Sequence, residues 1–305
     1  MSSGISYIIN PDGTPGESWS PFSGCNGPVG TDGKQHRCVY CYSILGQRRW
    51  GNSFDPTFHE GRLKQPSHWA KPRTVALCFQ GDLFDPANPV EQISEVMRVV
   101  RTESRHHFLI TTKQAWRMLQ VWDFGDGVRT GWGGKNLWLG VTVTCPEDAW
   151  RLDALEQLAA RAGVHTWVSF EPLVGPVGAL FPLKFRPDCV VVGGMSGPDA
   201  RTHALPLGWV RDVRDACEEQ QIPFVFKQFG HWVPALWKSE ATHGVALADG
   251  GVVRPILKSE PGSPERPAVA ALGWQGVRWQ DEVQAFPVLD GRRHAYLPWA
   301  GREAP

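Results

Sequence analysis

The stretch LWLGVTVTCPEDAWRLDALEQLAARAGVHTWVSFEP, residues 137–172, holds two apolar runs with an amphipathic segment between them. Leu137 to Val143 and His165 to Phe170 are nearly continuous in β-branched and aromatic residues rather than alternating, which is how a strand reads when both faces of a parallel sheet are covered. Between them, Pro146 to Ala162 opens on Pro-Glu-Asp, suited to a helix N-terminus, and places Trp150, Leu152, Leu155 and Leu158 on one stripe. A strand, a helix and a strand in this order make a right-handed crossover unit.

The pattern extends both ways. Thr74 to Phe79, Phe108 to Thr111, Cys189 to Val192 and Phe224 to Phe226 read as further strands. Pro89 to Arg101 places Val90, Ile93, Val96, Met97 and Val100 inward, and Gly208 to Gln221 does the same with Val210, Val213 and Cys217. The fold class expected is α/β. Every strand ends in polar groups: Gln80, Gly81 and Asp82; Thr111, Thr112 and Lys113; Thr142 and Thr144; Ser169 with Glu171; Gly193, Gly194 and Ser196; Lys227 and Gln228. In such folds ligands bind beyond the carboxyl ends of the strands, and six polar ends in succession favour a partial (β/α) barrel with its site at one mouth over a flat sheet. Residues 1–230 form this barrel domain; residues 231–305, rich in Trp, Gly and Pro with turns at Gly250-Gly251 and Pro261-Gly262-Ser263-Pro264, read as a loop-and-hairpin appendage or insertion packing on it.

Composition sets bounds. The 31 Lys and Arg balance 31 Asp and Glu, so net charge supplies no argument for a polyanion partner, and nucleic acid is possible but not indicated. No run of 18 apolar residues and no export signal is visible, which implies a cytoplasmic chain with no membrane partner. Trp50, Trp69, Trp138, Trp167 and Trp209 sit beside apolar residues and are expected to fill core or wall.

The seven cysteines are unevenly placed. Cys25, Cys38 and Cys41 fall within 17 positions, where an even scatter would put about 0.4. A Cys-x-x-Cys pair with a third thiol on the preceding loop offers three-point ligation. Three ligands leave one iron of a four-iron cluster open, whereas structural zinc asks for four, which His36 or His59 could complete; a redox dithiol is a third reading. Cys78, Cys145, Cys189 and Cys217 lie in apolar surroundings and are expected to be small core residues.

An aromatic directly before the last cysteine, in Arg37-Cys38-Val39-Tyr40-Cys41-Tyr42, ahead of α/β units resembles the radical S-adenosylmethionine superfamily. That superfamily's cysteines are spaced by three residues and then two; here the first gap is twelve, and Gly27 to Gly33 reads as a loop insertion. A closer resemblance rests on Trp19-Ser20-Pro21 with Gly24-Cys25, Asp82-Leu83-Phe84, Thr112-Lys113, Trp138-Leu139-Gly140-Val141, Ser169-Phe170-Glu171-Pro172-Leu173, Gly193-Gly194 with Ser196-Gly197-Pro198, and Phe226-Lys227-Gln228. These motifs are similar to an uncharacterised family of phages and mobile elements, a domain of unknown function related to the same superfamily.

The resemblance implies a 4Fe-4S cluster on Cys25, Cys38 and Cys41, binding of S-adenosylmethionine, an electron donor, and an unknown substrate that the phage association makes a nucleotide or nucleic acid. Gln80, Gly81 and Asp82 would meet the methionine amino group, although Asp82 could equally hold a turn. Glu171 would contact a ligand or pair with Lys113 or Lys227. Gly193, Gly194 and Ser196 would let backbone approach a sugar or adenine, or simply form a tight turn. Lys113, Lys227 and Gln228 are candidate contacts to a substrate carboxylate or phosphate, and Arg48, Arg49, Lys64, Lys71 and Arg73 are phosphate contacts or solvated surface. His59, His106 and His107 read as ordinary histidines. A zinc- or cluster-stabilised binding module without catalysis is the alternative.

Overall fold

Seven parallel strands run through one sheet in simple chain order: β1 (Glu17–Trp19), β2 (Thr74–Leu77), β3 (His107–Thr112), β4 (Leu137–Thr142), β5 (His165–Phe170), β6 (Cys189–Gly193) and β7 (Phe224–Gln228). The computed structural model describes residues 2–30, 33–49, 51–124, 134–196, 200, 203–234, 244–246, 254–255, 275–279 and 284–304. Trp50, Gly197-Pro198 and the turns at 250–251 and 261–264 lie outside these residues. A consecutive order has no switch point, so the sheet winds in one sense, and β1 and β7 stay apart as open edges. The architecture is the expected α/β partial barrel.

The sheet's two faces are filled differently. Val75, Leu77, Phe108, Ile110, Leu139, Val168, Val190 and Phe226 pack with the helices α2 (Val90–Thr102), α4 (Trp150–Ala162) and α5 (Leu207–Glu219), whose inward stripes are those read from sequence. The alternate strand residues Ala76, Leu109, Trp138, Trp167, Val191 and Val225 face the other way, onto Tyr7, Ile8 and Ile9 from the start of the chain and Phe286, Leu297 and Trp299 from its end. Helices therefore cover one face, and two terminal segments fill the other. Gly140 makes room there: a Cβ on it would lie 2.5 Å from the Trp167 indole, whose Nε1 donates to the Ile110 carbonyl at 3.0 Å. The same segments cover the open edges, through the Ser2–Glu17 bridge at β1 and the bond from Phe226 N to His294 O at β7.

Three elements were not visible in the sequence. β1 lies ahead of the cysteines, so the trio follows a strand of the sheet, and α1 (Tyr42–Arg49) and α3 (Ala115–Phe124) fill the first and third crossovers. Cys78, Cys189 and Cys217 are buried as expected; Cys145 is a correction, being half-exposed where the chain leaves β4 for the short turn Pro146–Asp148. Trp138, Trp167 and Trp209 are buried. In the span after 230, Trp232–Pro234, Gly244–Ala246, Arg254–Pro255 and Gln275–Trp279 form a small antiparallel sheet. Among the described residues no helix is long and apolar enough to cross a membrane.

Candidate functional site

The cysteine loop starts where β1 ends and is fastened to the end of β2. Gly24 bridges Gly81 in parallel fashion, and Cys25 N donates to Phe54 O at 3.1 Å. The twelve-residue gap is a small outgrowth. Val29 pairs antiparallel with Gln35, Gly30 N donates to Lys34 O at 2.8 Å and His36 N to Pro28 O at 3.0 Å. Gly27, at φ +89, lies so close to the returning chain that a Cβ would sit 1.9 Å from the His36 carbonyl oxygen. The chain leaves near Gly27 and comes back to the same point, which returns Cys38 to Cys25's side. Cys41 N then donates to Cys38 O at 3.1 Å, closing the turn ahead of α1.

Two residues not singled out from sequence hold this loop. Asp85 is fully buried, and its carboxylate accepts from Asn26 N at 2.8 Å, Gln35 Nε2 at 3.2 Å and Ala87 N at 3.0 Å. Gln114 Nε2 donates to Gly27 O at 2.7 Å. The Asp-Pro-Ala-Asn context of Asp85 marks it as a turn residue, but nothing local signals its partner 59 residues away.

A cavity of about 550 Å³ opens at the carboxyl ends of the strands. Cys25, Cys38 and Cys41 line it together with Gly81, Asp82, Lys113, Glu171, Gly194, Ser196, Lys227 and Gln228. Gln80 and Gly193 are not on its wall. The Gln80 carbonyl accepts from Gly24 N, and a Cβ on Gly193 would lie 2.8 Å from Glu171 Oε1, so this glycine gives the glutamate space. Gly194 crosses the chain after β7 so closely that a Cβ would meet Phe229 O at 1.9 Å. Gly193 is thus packed against a side chain and Gly194 against backbone.

Asp82 is buried and internally bonded. Thr112 Oγ1 lies 2.7 and 2.8 Å from its two oxygens, Phe84 N donates at 3.0 Å and Lys113 N at 3.1 Å. Burial pushes its carboxyl up to about 6, against the pull of these donors. The carboxylate fastens the ends of β2 and β3 together. Glu171 pairs with Lys227 at 2.7 Å and accepts from Ser169 Oγ at 3.2 Å. The Lys227 ammonium also stands 5.3 Å from the centre of the Tyr7 ring. Lys113 Nζ lies 5.7 Å from the Tyr40 ring; burial works against its charge, but Tyr40 and Cys38 beside it hold the ammonium above the ordinary lysine range.

Burial pushes the Cys25 and Cys41 thiols up, so ligation at this site would release protons. Among the described residues no three His, Cys, Asp or Glu side chains stand at the spacing of ligands around one ion. A single zinc would draw its thiolates to about 3.8 Å from one another. His59 bonds Ser23 Oγ at 2.7 Å, and neither it nor His36 lines the cavity, so neither is placed as a fourth ligand. The corner irons of a cubane hold their thiolates farther apart than one ion does. Cys25, Cys38 and Cys41 are free and line one cavity, which is the donor set that a 4Fe-4S cluster would ask of this chain.

A family model described as a protein of unknown function (DUF5131) matches residues 15–298. No curated protein matches the chain. Among solved structures it is similar to a spore photoproduct lyase double mutant with bound AdoMet and dinucleoside spore photoproduct, at 11% identity and TM-score 0.42 over 84% of this chain and 71% of that one. It is also similar to spore photoproduct lyase complexed with dinucleoside spore photoproduct, at 10% identity and TM-score 0.38 over 83% and 70%.

Proposed function

The chain belongs to the DUF5131 family of proteins of unknown function, and we propose that it is an iron–sulfur protein acting as a radical S-adenosylmethionine enzyme. The observation that carries this reading is the folding-back of the loop insertion, which turns a twelve-residue gap into three thiols on one cavity wall at the mouth of a partial barrel. Cys25, Cys38 and Cys41 would hold a 4Fe-4S cluster. When bound and reduced it supplies one electron to split S-adenosylmethionine into methionine and a 5'-deoxyadenosyl radical, which takes a hydrogen atom from substrate.

The chain's own residues bind and orient. Lys113 offers a cation beside the cysteine loop, suited to a carboxylate or phosphate. The Tyr7 and Tyr40 rings give the cavity aromatic surface for a planar base. Glu171 and Lys227, fixed against each other, present an acceptor and a donor side by side at the ends of β5 and β7. Ser196 and Gln228 add hydrogen-bonding groups at the same wall. Asp82 has its oxygens engaged within the protein and acts by positioning Thr112 and Lys113. A nucleotide or nucleic-acid substrate is the class this lining favours.

Anaerobic reconstitution of the full chain tests the reading. About four irons per chain are expected, with broad absorbance at the blue edge of the visible range and reductive cleavage of S-adenosylmethionine to 5'-deoxyadenosine. Stoichiometric zinc without cleavage would instead make the protein a metal-stabilised binding module.

A further inference from the structure

We propose that Phe79 is the stacking platform for an unpaired base of the substrate. This deepens the reading above, whose substrate class it takes up. Phe79 is half-buried just past the end of β2, and it lines the cavity. The residue before it, Cys78, is buried and has φ +59, a left-handed conformation that side-chain-bearing residues seldom adopt and glycine takes freely. Three bonds hold this turn. Cys78 N donates to Trp19 O at 2.9 Å, Gly81 N to Cys78 O at 3.1 Å, and the Tyr42 hydroxyl to Phe79 O at 2.6 Å. Strained backbone persists where its surroundings over-determine it, and such places collect at ligand sites. Here the strain sits at the residue that delivers Phe79 to the chamber.

The ring is backed as well as its backbone is held. It lies 16° from parallel to the Trp167 indole, with 6.4 Å between centroids. Trp167 is fully buried, its Nε1 donates to Ile110 O at 3.0 Å, and the Tyr7 ring meets it edge-on at 6.1 Å. Gly140 has no Cβ to contest the indole's place. A ring already fixed in one pose has little freedom left to lose when a second ring stacks on it, and every nucleobase has a face to offer. A cavity of about 550 Å³ is of the size that takes a small molecule. A base therefore reaches Phe79 as a free nucleoside or out of its stack in a single strand.

Equilibrium dialysis of the full chain tests this. It is run as purified and again after iron reconstitution with saturating S-adenosylmethionine, so that the cofactor's own adenine does not compete. The probes are the common nucleosides, 5,6-dihydrouridine, a mixed-sequence single-stranded oligonucleotide and its duplex. At least one nucleoside or the single strand should be retained, whereas dihydrouridine, whose saturated ring is neither planar nor aromatic, and the duplex should not. Phe79→Leu should weaken retention about tenfold, and Phe79→Trp should restore it, with far-ultraviolet circular dichroism unchanged in both. Retention of dihydrouridine or the duplex as strong as that of uridine or the single strand, or equal binding by the parent and Phe79→Leu, would overturn the platform. Iron uptake with no probe retained would overturn it too and leave the iron–sulfur reading standing. Retention that depends on Phe79 in a chain that takes up no iron would uphold the platform and remove the iron–sulfur reading.

Discussion

Glu171 and Lys227 meet at 2.7 Å, one just beyond the end of β5 and the other on β7, with β6 between them. Both side chains are mostly withdrawn from water, at 12% and 21% exposure. Removing one partner leaves the other charge in the wall without its counter-ion, which costs more than the pair itself contributes. Lys227→Met should therefore destabilise the fold by roughly 2–3 kcal/mol, and adding Glu171→Gln should recover most of that loss. Urea unfolding of the two single variants and the double variant decides it. A double variant no more stable than Lys227→Met would show that the two charges do not depend on each other.

Asp82 gives the fold a pH dependence of unusual sign. Its carboxyl titrates near the ordinary 3.8 when unfolded and is pushed up to about 6 in the fold by burial. The proton is thus bound more tightly in the native state. This contribution to stability is fully present below the unfolded value and is lost as pH rises through the folded one, amounting to about 3 kcal/mol. Asp82→Asn cannot ionise, so its stability relative to the parent should improve between pH 4 and pH 7. The hydrogen-bond penalty of the amide is the same at every pH and drops out of that comparison. Urea midpoints of both proteins across this range would show a constant difference if Asp82 were ionised throughout.

Much of this architecture is legible in local pattern, and its exceptions are physical. β5 runs from His165 to Phe170 as read, because an apolar run is bounded by Gly163 before it and Pro172 after it. β1 has only Glu17, Ser18 and Trp19, too short and too polar to make a run, yet it places the cysteines at the sheet. The polar strand ends could be read as a site because parallel strands collect their carboxyl ends at one mouth. That Asp82 binds inward, that Gly193 yields space to Glu171 and that Asp85 holds the loop all depend on neighbours distant in sequence. Tyr7 and Trp299 carry no local signal for which terminal segment will cover a barrel's inner face.

Trp299 tests that covering. It is buried among Tyr7, Trp138 and Trp167, and its Nε1 donates to Tyr7 O at 2.9 Å. Trp299→Ala should cost about 3–5 kcal/mol, with a drop of several degrees in thermal midpoint. Tyr296→Ala, three residues earlier and 47% exposed, should stay within about 0.5 kcal/mol of the parent. Comparable losses at the two positions would mean that the segment contributes through its backbone rather than through the indole.

The folded-back insertion separates two properties that the wide cysteine spacing had joined: the length of the gap and the closeness of its ends. If Gly27 and His36 set where Cys38 sits, the residues beyond their contact are dispensable. Replacing residues 30–34 by Asn-Gly, a turn that joins antiparallel partners such as Val29 and Gln35, should leave iron uptake at about four per chain. Gly27→Ala acts at the contact itself. Its φ of +89 disfavours a side chain, and the added Cβ would press on the His36 carbonyl oxygen, so the two arms must part and Cys38 must move. Iron content should fall well below the parent's, while far-ultraviolet circular dichroism stays unchanged because the seven-stranded sheet is untouched. Loss of iron in the shortened loop, with retention in Gly27→Ala, would place the determinant in the length of the insertion instead of its closure.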